Sequence, residues 1–174
     1  TGGAKPSRQV VIYLDPPADQ QTAWESAPML LDIHGKGGIY AVPPVAGTGL
    51  KVGDHSFSLK GHPDRDREVQ QGEAEALMEA CRVRFKAMDD WALNHAKTCF
   101  YTVQKEERFV LESIEKAVVM TGFSGHGFKF GAMMGELATG LITGRIDTGN
   151  ASKLASGIIE DIAEIEALTN LYLG

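Results

Sequence analysis

Ala117-Val118-Val119-Met120-Thr121-Gly122-Phe123-Ser124-Gly125-His126-Gly127-Phe128-Lys129-Phe130 is the stretch whose reading decides the fold. A β-rich run enters a turn with glycines at 122, 125 and 127, and a helical pattern follows from about Gly131 to Thr143, with Gly144 placed to cap it. A glycine-rich turn at a helix start presents backbone N–H groups and the positive end of the helix dipole, an environment that favours negative charge. Glycine spacing alone equally allows a close-packed turn with no ligand.

Upstream of this unit, Arg8–Leu14 is β-rich and bounded by Pro6 and Pro16-Pro17. Two further β-rich groups, Met29–Ile33 and Gly38–Val42, flank His34-Gly35-Lys36-Gly37, which reads as a hairpin turn. Leu50–Phe57 continues as strand or loop, so the opening section predicts an antiparallel meander. From about Arg67 to Met88 the period becomes helical, with Ala74, Leu77, Met78, Cys81 and Phe85 on one face. Strands resume at Thr98–Val103, Phe109–Leu111 and Ala117–Thr121. Asp147–Ser152 reads as a polar loop. Beyond it, Leu154, Ile158, Ile162, Ile165, Leu168 and Leu171 form an apolar stripe opposite Glu160, Asp161, Glu164 and Glu166, predicting an amphipathic tail helix over 150–174. No repeat or low-complexity tract interrupts the chain.

The bulk numbers narrow the class. The chain has 174 residues, enough for one domain with a proper core, and its 43% hydrophobic and 23% charged residues are ordinary for a globular protein. A net charge of −6 argues against nucleic acid as the main partner. No apolar run approaches the roughly 18 residues of a membrane span. The start, Thr1-Gly2-Gly3-Ala4-Lys5-Pro6, has neither an initiator Met nor a signal peptide and reads as the inside of a longer product. Two cysteines without repeated spacing fit a reducing compartment, and the expected location is cytoplasmic.

Single residues carry less by themselves. Cys99 on a strand is by default a buried small hydrophobe, as is Cys81 on its helix face. Lys51 and His55 are four apart in a segment with no clear helical pattern, so spacing does not put them on one face. Lys129 near a helix start opposes the dipole, a misfit that suggests an anionic partner. Tyr101, two residues beyond Cys99, shares its strand face. No His, Cys and carboxylate set converges on a metal site. Ser124 lacks the second glycine of a nucleophile elbow, because His126 stands there.

Three ordered blocks change these readings. Gly122–Phe130, Cys99-Phe100-Tyr101-Thr102-Val103 continuing to Glu112, and Gly49-Leu50-Lys51-Val52-Gly53-Asp54-His55 resemble the C-terminal half of the monomeric sarcosine oxidase and N-methyl-amino-acid oxidase family. The Arg8-Gln9-Val10-Val11 start resembles the strand that opens that family's substrate domain, and the likeness covers roughly residues 6–146. It implies an α+β fold: a mainly antiparallel sheet with flanking helices as substrate domain over 6–112, then the last strand and helix of an FAD domain over 113–146.

The resemblance also implies an activity and its residues. FAD is the cofactor, joined covalently through the Cys99 sulfur, with Gly125, His126, Gly127, Phe128 and Lys129 around it. Lys51 is the residue that assists reaction with O2, and His55 lines the substrate pocket beside it as the second catalytic position. Lys129 binds a substrate carboxylate and Tyr101 borders the substrate. The implied reaction oxidises a carboxylate-bearing amine to an imine, with O2 reduced to hydrogen peroxide. The chain departs from the family in lacking a Gly-x-Gly-x-x-Gly dinucleotide motif, so it is expected to need an N-terminal FAD-binding half, on the same polypeptide or as a partner fragment. Glu106 and Arg108 replace the family's usual aspartate and histidine. The rival readings are a dehydrogenase that passes electrons to another acceptor and a non-catalytic binding module of the same fold.

Overall fold

The β-branched run after Pro6 forms β1 (Lys5–Asp15), part of a five-stranded sheet that it shares with β2 (Leu30–Asp32), β3 (Ile39–Val42), β4 (Leu50–Asp54) and β5 (Ala92–Val103). The computed structural model describes residues 3–32, 38–158, 161, 163 and 166. Its contacts divide the chain into two units, Ser7–Phe100 and Tyr101–Gly174 together with Thr1–Pro6. The first unit holds a short helix, α1 (Gln21–Glu25), and a longer one, α2 (Glu73–Arg82). The second holds a hairpin of β6 (Val110–Ile114) and β7 (Ala117–Thr121), followed by α3 (Gly131–Ile142) and α4 (Thr148–Ser156).

The sheet order is β2-β3-β4-β1-β5. The antiparallel meander expected from the sequence is present in β2, β3 and β4, and β1 returns antiparallel against β4. In this register Lys51 lies opposite Tyr13 on β1 and Val42 on β3, and Gly53 lies opposite Tyr40. The expected hairpin turn at His34–Gly37 falls outside the described residues. β5 begins six residues earlier than the Thr98 expected from local propensity. Its first half, Ala92-Leu93-Asn94-His95-Ala96-Lys97, contains no β-branched residue, and pairing with β1 supplies what propensity does not.

One face of this sheet is a core. Ile12 and Leu14, Ile39 and Ala41, and Leu50 and Val52 pack against Ala74, Leu77, Met78 and Cys81 of α2, the i, i+3, i+4, i+7 set legible in the sequence. Trp24, Phe85 and Trp91 close one side, with Trp24 edge-on to both rings at centroid distances of 5.3 and 5.1 Å. Burial pushes the Cys81 thiol up to about 11, so this cysteine is an inert core residue.

α2 is shorter at both ends than the 67–88 that periodicity suggests, and Arg8 supplies the reason for its late start. Its guanidinium donates to the carbonyl oxygens of Asp66 and Glu68 and makes a bidentate pair with the Glu73 carboxylate at 2.6 and 2.9 Å. Carbonyls that a longer helix would use in its own ladder serve the arginine instead. Gly72, at φ +87°, then breaks the backbone before α2 begins.

In the second unit, Phe109 and Leu111 pack against Met134, Leu137 and Ala138 of α3, Ile146, and Ala151 and Ala155 of α4. α4 corrects the expected polar loop at Asp147–Ser152. Asp147 is an N-cap whose carboxylate accepts from the Asn150 N–H at 3.0 Å, and Ser152 donates to the Leu111 carbonyl. Most of the expected tail helix lies outside the described residues. Among the described residues no helix is long and apolar enough to cross a membrane.

The Arg8–Glu73 pair makes stability pH-dependent. The hydrogen bond from Arg8 holds the Glu73 carboxyl below its ordinary range, so its contribution is complete above the unfolded-state value and is lost as pH falls through the lower folded one. Glu73→Gln is expected to cost about 1–2 kcal/mol at neutral pH. The deficit shrinks toward zero in acid, below about pH 4, as urea midpoints of both proteins across that range would show.

Candidate functional site

The sheet face opposite α2 gathers polar groups because strand residues alternate. Every second residue of β1, β3 and β4 enters the core, which turns Tyr13, Tyr40 and Lys51 to the other side. The β3–β4 ladder continues one residue past β4, where the His55 N–H donates to the Gly38 carbonyl at 3.1 Å. Lys51 and His55, whose spacing left their faces open, therefore share one face as strand residues four apart.

Lys51 Nζ lies 5.8 Å from the centre of the Tyr40 ring, within reach of a cation–π contact. The ring lies across Gly53, where an added Cβ would come within 2.4 Å of Tyr40 Cζ. Gly53 is thus the space that lets Tyr40 lie beside Lys51. His55 is half-buried, with its ring 6.2 Å from that of Phe57. Neither Tyr40 nor Gly53 was singled out from the sequence, although Gly53 stands inside one of the three resembling blocks.

Cys99 belongs to the same face. Ala96 packs on the core while His95 stacks on Tyr13 at 4.3 Å, so alternation carries Lys97 and Cys99 to the side of Tyr13 and Lys51. Lys97 Nζ lies 5.7 Å from the Tyr13 ring centre. Cys99 is half-buried and free, which separates it from the enclosed Cys81.

The second unit carries the glycine turn. Tyr101 lies beneath Gly125, which has φ +83° and would bring a Cβ within 2.9 Å of the Tyr101 ring. Gly127 is equally close to Phe123, with a Cβ at 2.9 Å. Ser124 is buried at φ +49°, its N–H donating to the Thr102 carbonyl and its hydroxyl to that of Gly122, while it accepts from the Gln104 N–H at 3.1 Å. The serine is thus a structural hinge of the turn. His126 is half-buried, its Nε2 2.7 Å from a Glu107 carboxylate oxygen.

The chain leaves the turn through a 3-10 segment, Gly127–Phe130, before α3. The first N–H groups of such a segment have no partner inside it, while α3 itself begins only at Gly131, beyond the expected dipole position. Phe128 is fully exposed, and Lys129 is exposed with Nζ 5.9 Å from the Phe130 ring centre. The site residues read from the sequence therefore form two sets. Lys51, His55 and Cys99 lie in the first unit; Tyr101, Gly125, His126, Gly127, Phe128 and Lys129 lie in the second. Among the described residues no group of three or more His, Cys, Asp or Glu side chains could hold a metal ion.

Comparison with known proteins identifies the family. Residues 3–141 match the family described as FAD dependent oxidoreductase. Monomeric sarcosine oxidase from Bacillus sp. (strain NS-129) is 31% identical over 144 residues, which cover 80% of this chain and 37% of the relative. The chain thus spans little more than a third of the curated relatives it matches. The fructosamine oxidase Amadoriase II from Aspergillus fumigatus has a similar fold, with a TM-score of 0.69 at 14% identity over 88% of this chain and 39% of that one. L-proline dehydrogenase from P. horikoshii is similar in fold at a TM-score of 0.64 and 18% identity, over 83% and 37% of the two chains. Matched along most of its length, the chain belongs to the FAD-dependent oxidoreductase family and is similar within it to monomeric sarcosine oxidase.

Proposed function

We propose that this chain supplies the substrate-facing sheet and the cofactor-facing turn of an enzyme that oxidises a carboxylate-bearing amine to an imine, with O2 reduced to hydrogen peroxide. The observation that carries the proposal is the placing of Lys51 and Cys99 on one face of one sheet, the face that α2 leaves uncovered. We assign residues 6–112 to the substrate domain and 113–146 to the FAD domain. Activity belongs to this chain together with the remainder of the family's length, on one polypeptide or as a partner fragment.

The residues present fit FAD. A Cβ at Gly125 or Gly127 would press on Tyr101 or Phe123, so the turn keeps a backbone surface that side chains cannot crowd. The His126 N–H is held by the Phe123 carbonyl, but those of Gly127 and Phe128, at the start of the 3-10 segment, are suited to a group that becomes more negative when it is reduced. The half-buried Cys99 sulfur is suited to a covalent tether. When bound, FAD accepts the two electrons of the amine C–H bond and returns them to O2.

The chain's own groups supply binding and charge. Lys129 Nζ pairs with the substrate carboxylate, and the Tyr101 hydroxyl borders the same substrate. In the first unit, His55 is assigned to substrate contact as a polar group on the face that carries Lys51. Lys51 holds its proton at Nζ, where a fixed ammonium stabilises the negative charge that develops on O2 as electrons arrive. In a site shielded from water that effect is large. A dehydrogenase with another electron acceptor is the second reading; L-proline dehydrogenase from P. horikoshii has the same fold.

Lys51 separates the two readings. Lys51→Met is expected to slow reoxidation by O2 about 100-fold while changing the rate of reduction by amine far less, as stopped-flow measurement of each half-reaction would show. An equal loss in both would remove the O2 role. Cys99→Ser is expected to release flavin into the supernatant on acid precipitation, whereas the parent protein keeps a flavin-mass adduct on the Cys99 peptide. Flavin released equally by both would leave FAD as cofactor and remove the tether.

A further inference from the structure

We propose that Glu107 is a positioning residue for the Gly125-His126-Gly127 turn and acts through His126. An ionised carboxylate only accepts, so the 2.7 Å contact between Glu107 Oε2 and His126 Nε2 requires the proton on Nε2. That bond fixes both the tautomer and the orientation of the ring. His126 stands between two glycines, the residues with the widest backbone freedom. Its side chain is the handle by which a partner nineteen positions away in sequence grips the turn.

Backbone strain supports the same assignment. Glu106 and Glu107 have φ of +54° and +56°, left-handed values that are unfavourable in non-glycine residues. The turn that contains them is closed by the Glu107 N–H on the Gln104 carbonyl at 3.0 Å. Gln104 in turn donates to the Ser124 hydroxyl, and Ser124 is itself left-handed at +49°. Two strained turns are therefore joined at both ends, by Gln104 with Ser124 and by Glu107 with His126. Glu106 points elsewhere: its carboxylate accepts from Arg108 at 2.8 Å, on the near side of the join, which makes it the natural control. Glu107 thus holds the turn's N–H groups in one arrangement before a ligand arrives, which lowers the ordering cost of binding. The catalytic purpose of this rests on the flavin reading; the positioning itself does not.

The test uses the full-length gene product with Glu107→Ala, Glu107→Gln, Glu106→Gln and His126→Gln. Long-range 1H–15N NMR reads the His126 tautomer, amide exchange reads Gly125 and Gly127, and gel filtration reads retained flavin. Glu107→Ala is expected to abolish the single Nε2–H tautomer and raise exchange at the two glycines about tenfold. Glu107→Gln, whose amide oxygen accepts the same proton, restores the tautomer and most of the protection, and flavin retention follows the same order. Glu106→Gln leaves all three as in the parent. In the His126→Gln background, Glu107→Ala adds nothing further, as expected of residues that act as one unit. A parent-like tautomer and exchange in Glu107→Ala, additive effects in the double variant, or an equal disturbance by Glu106→Gln would each overturn the assignment. Absence of flavin from the parent protein would instead sink the flavin reading, while the His126 tautomer would still decide the role of Glu107.

Discussion

Apolar burial against α2 on one face of the five-stranded sheet is the constraint from which the first unit follows. Ile12, Leu14, Ile39, Ala41, Leu50 and Val52 must leave water together, and each of the larger side chains among them contributes about 1.5–3 kcal/mol by doing so. Strand register is then not free to slip, because a shift of one residue would expose all of them. The alternate residues are delivered to the opposite face as a consequence. Tyr13, Tyr40, Lys51 and Cys99 are placed by hydrophobic side chains on the other face of the sheet.

The second unit works by a different logic. Its hairpin and helices make an ordinary core around Leu111 and Met134, but the turn between β7 and α3 is held by polar bonds and paid for in backbone strain. Ser124, Glu106 and Glu107 all occupy left-handed conformations, and the bonds of Ser124 and Glu107 to the neighbouring turn hold the two together. Rigid scaffolds commonly hold functional loops in this way. In this chain the scaffold is the pair of turns itself, joined through Gln104 and Glu107.

Legibility varied with the range of the forces involved. The α2 face was plain in the spacing of Ala74, Leu77, Met78 and Cys81, and β7 matched its β-branched run, because both patterns are local. The helix start was misjudged, since Arg8 reaches more than fifty residues along the chain to take the Asp66 and Glu68 carbonyls. β5 was read too short because its first half is stabilised by pairing with β1. The loop expected before the tail is the capped start of α4. There the Asp147 signal was present but lacked an apolar run strong enough to give it weight.

For the site, sequence by itself determined the family resemblance, the glycine turn and the residue types able to do chemistry, because motifs and backbone permissiveness are properties of consecutive residues. Only the tertiary structure decided that Lys51 and His55 share a face, that Tyr40 fits beside Lys51 across Gly53, and that Glu107 grips His126. Those facts depend on strand register and on contacts between residues far apart in the chain. The hydrophobic pairing of whole elements sets both, and no short window of sequence contains it.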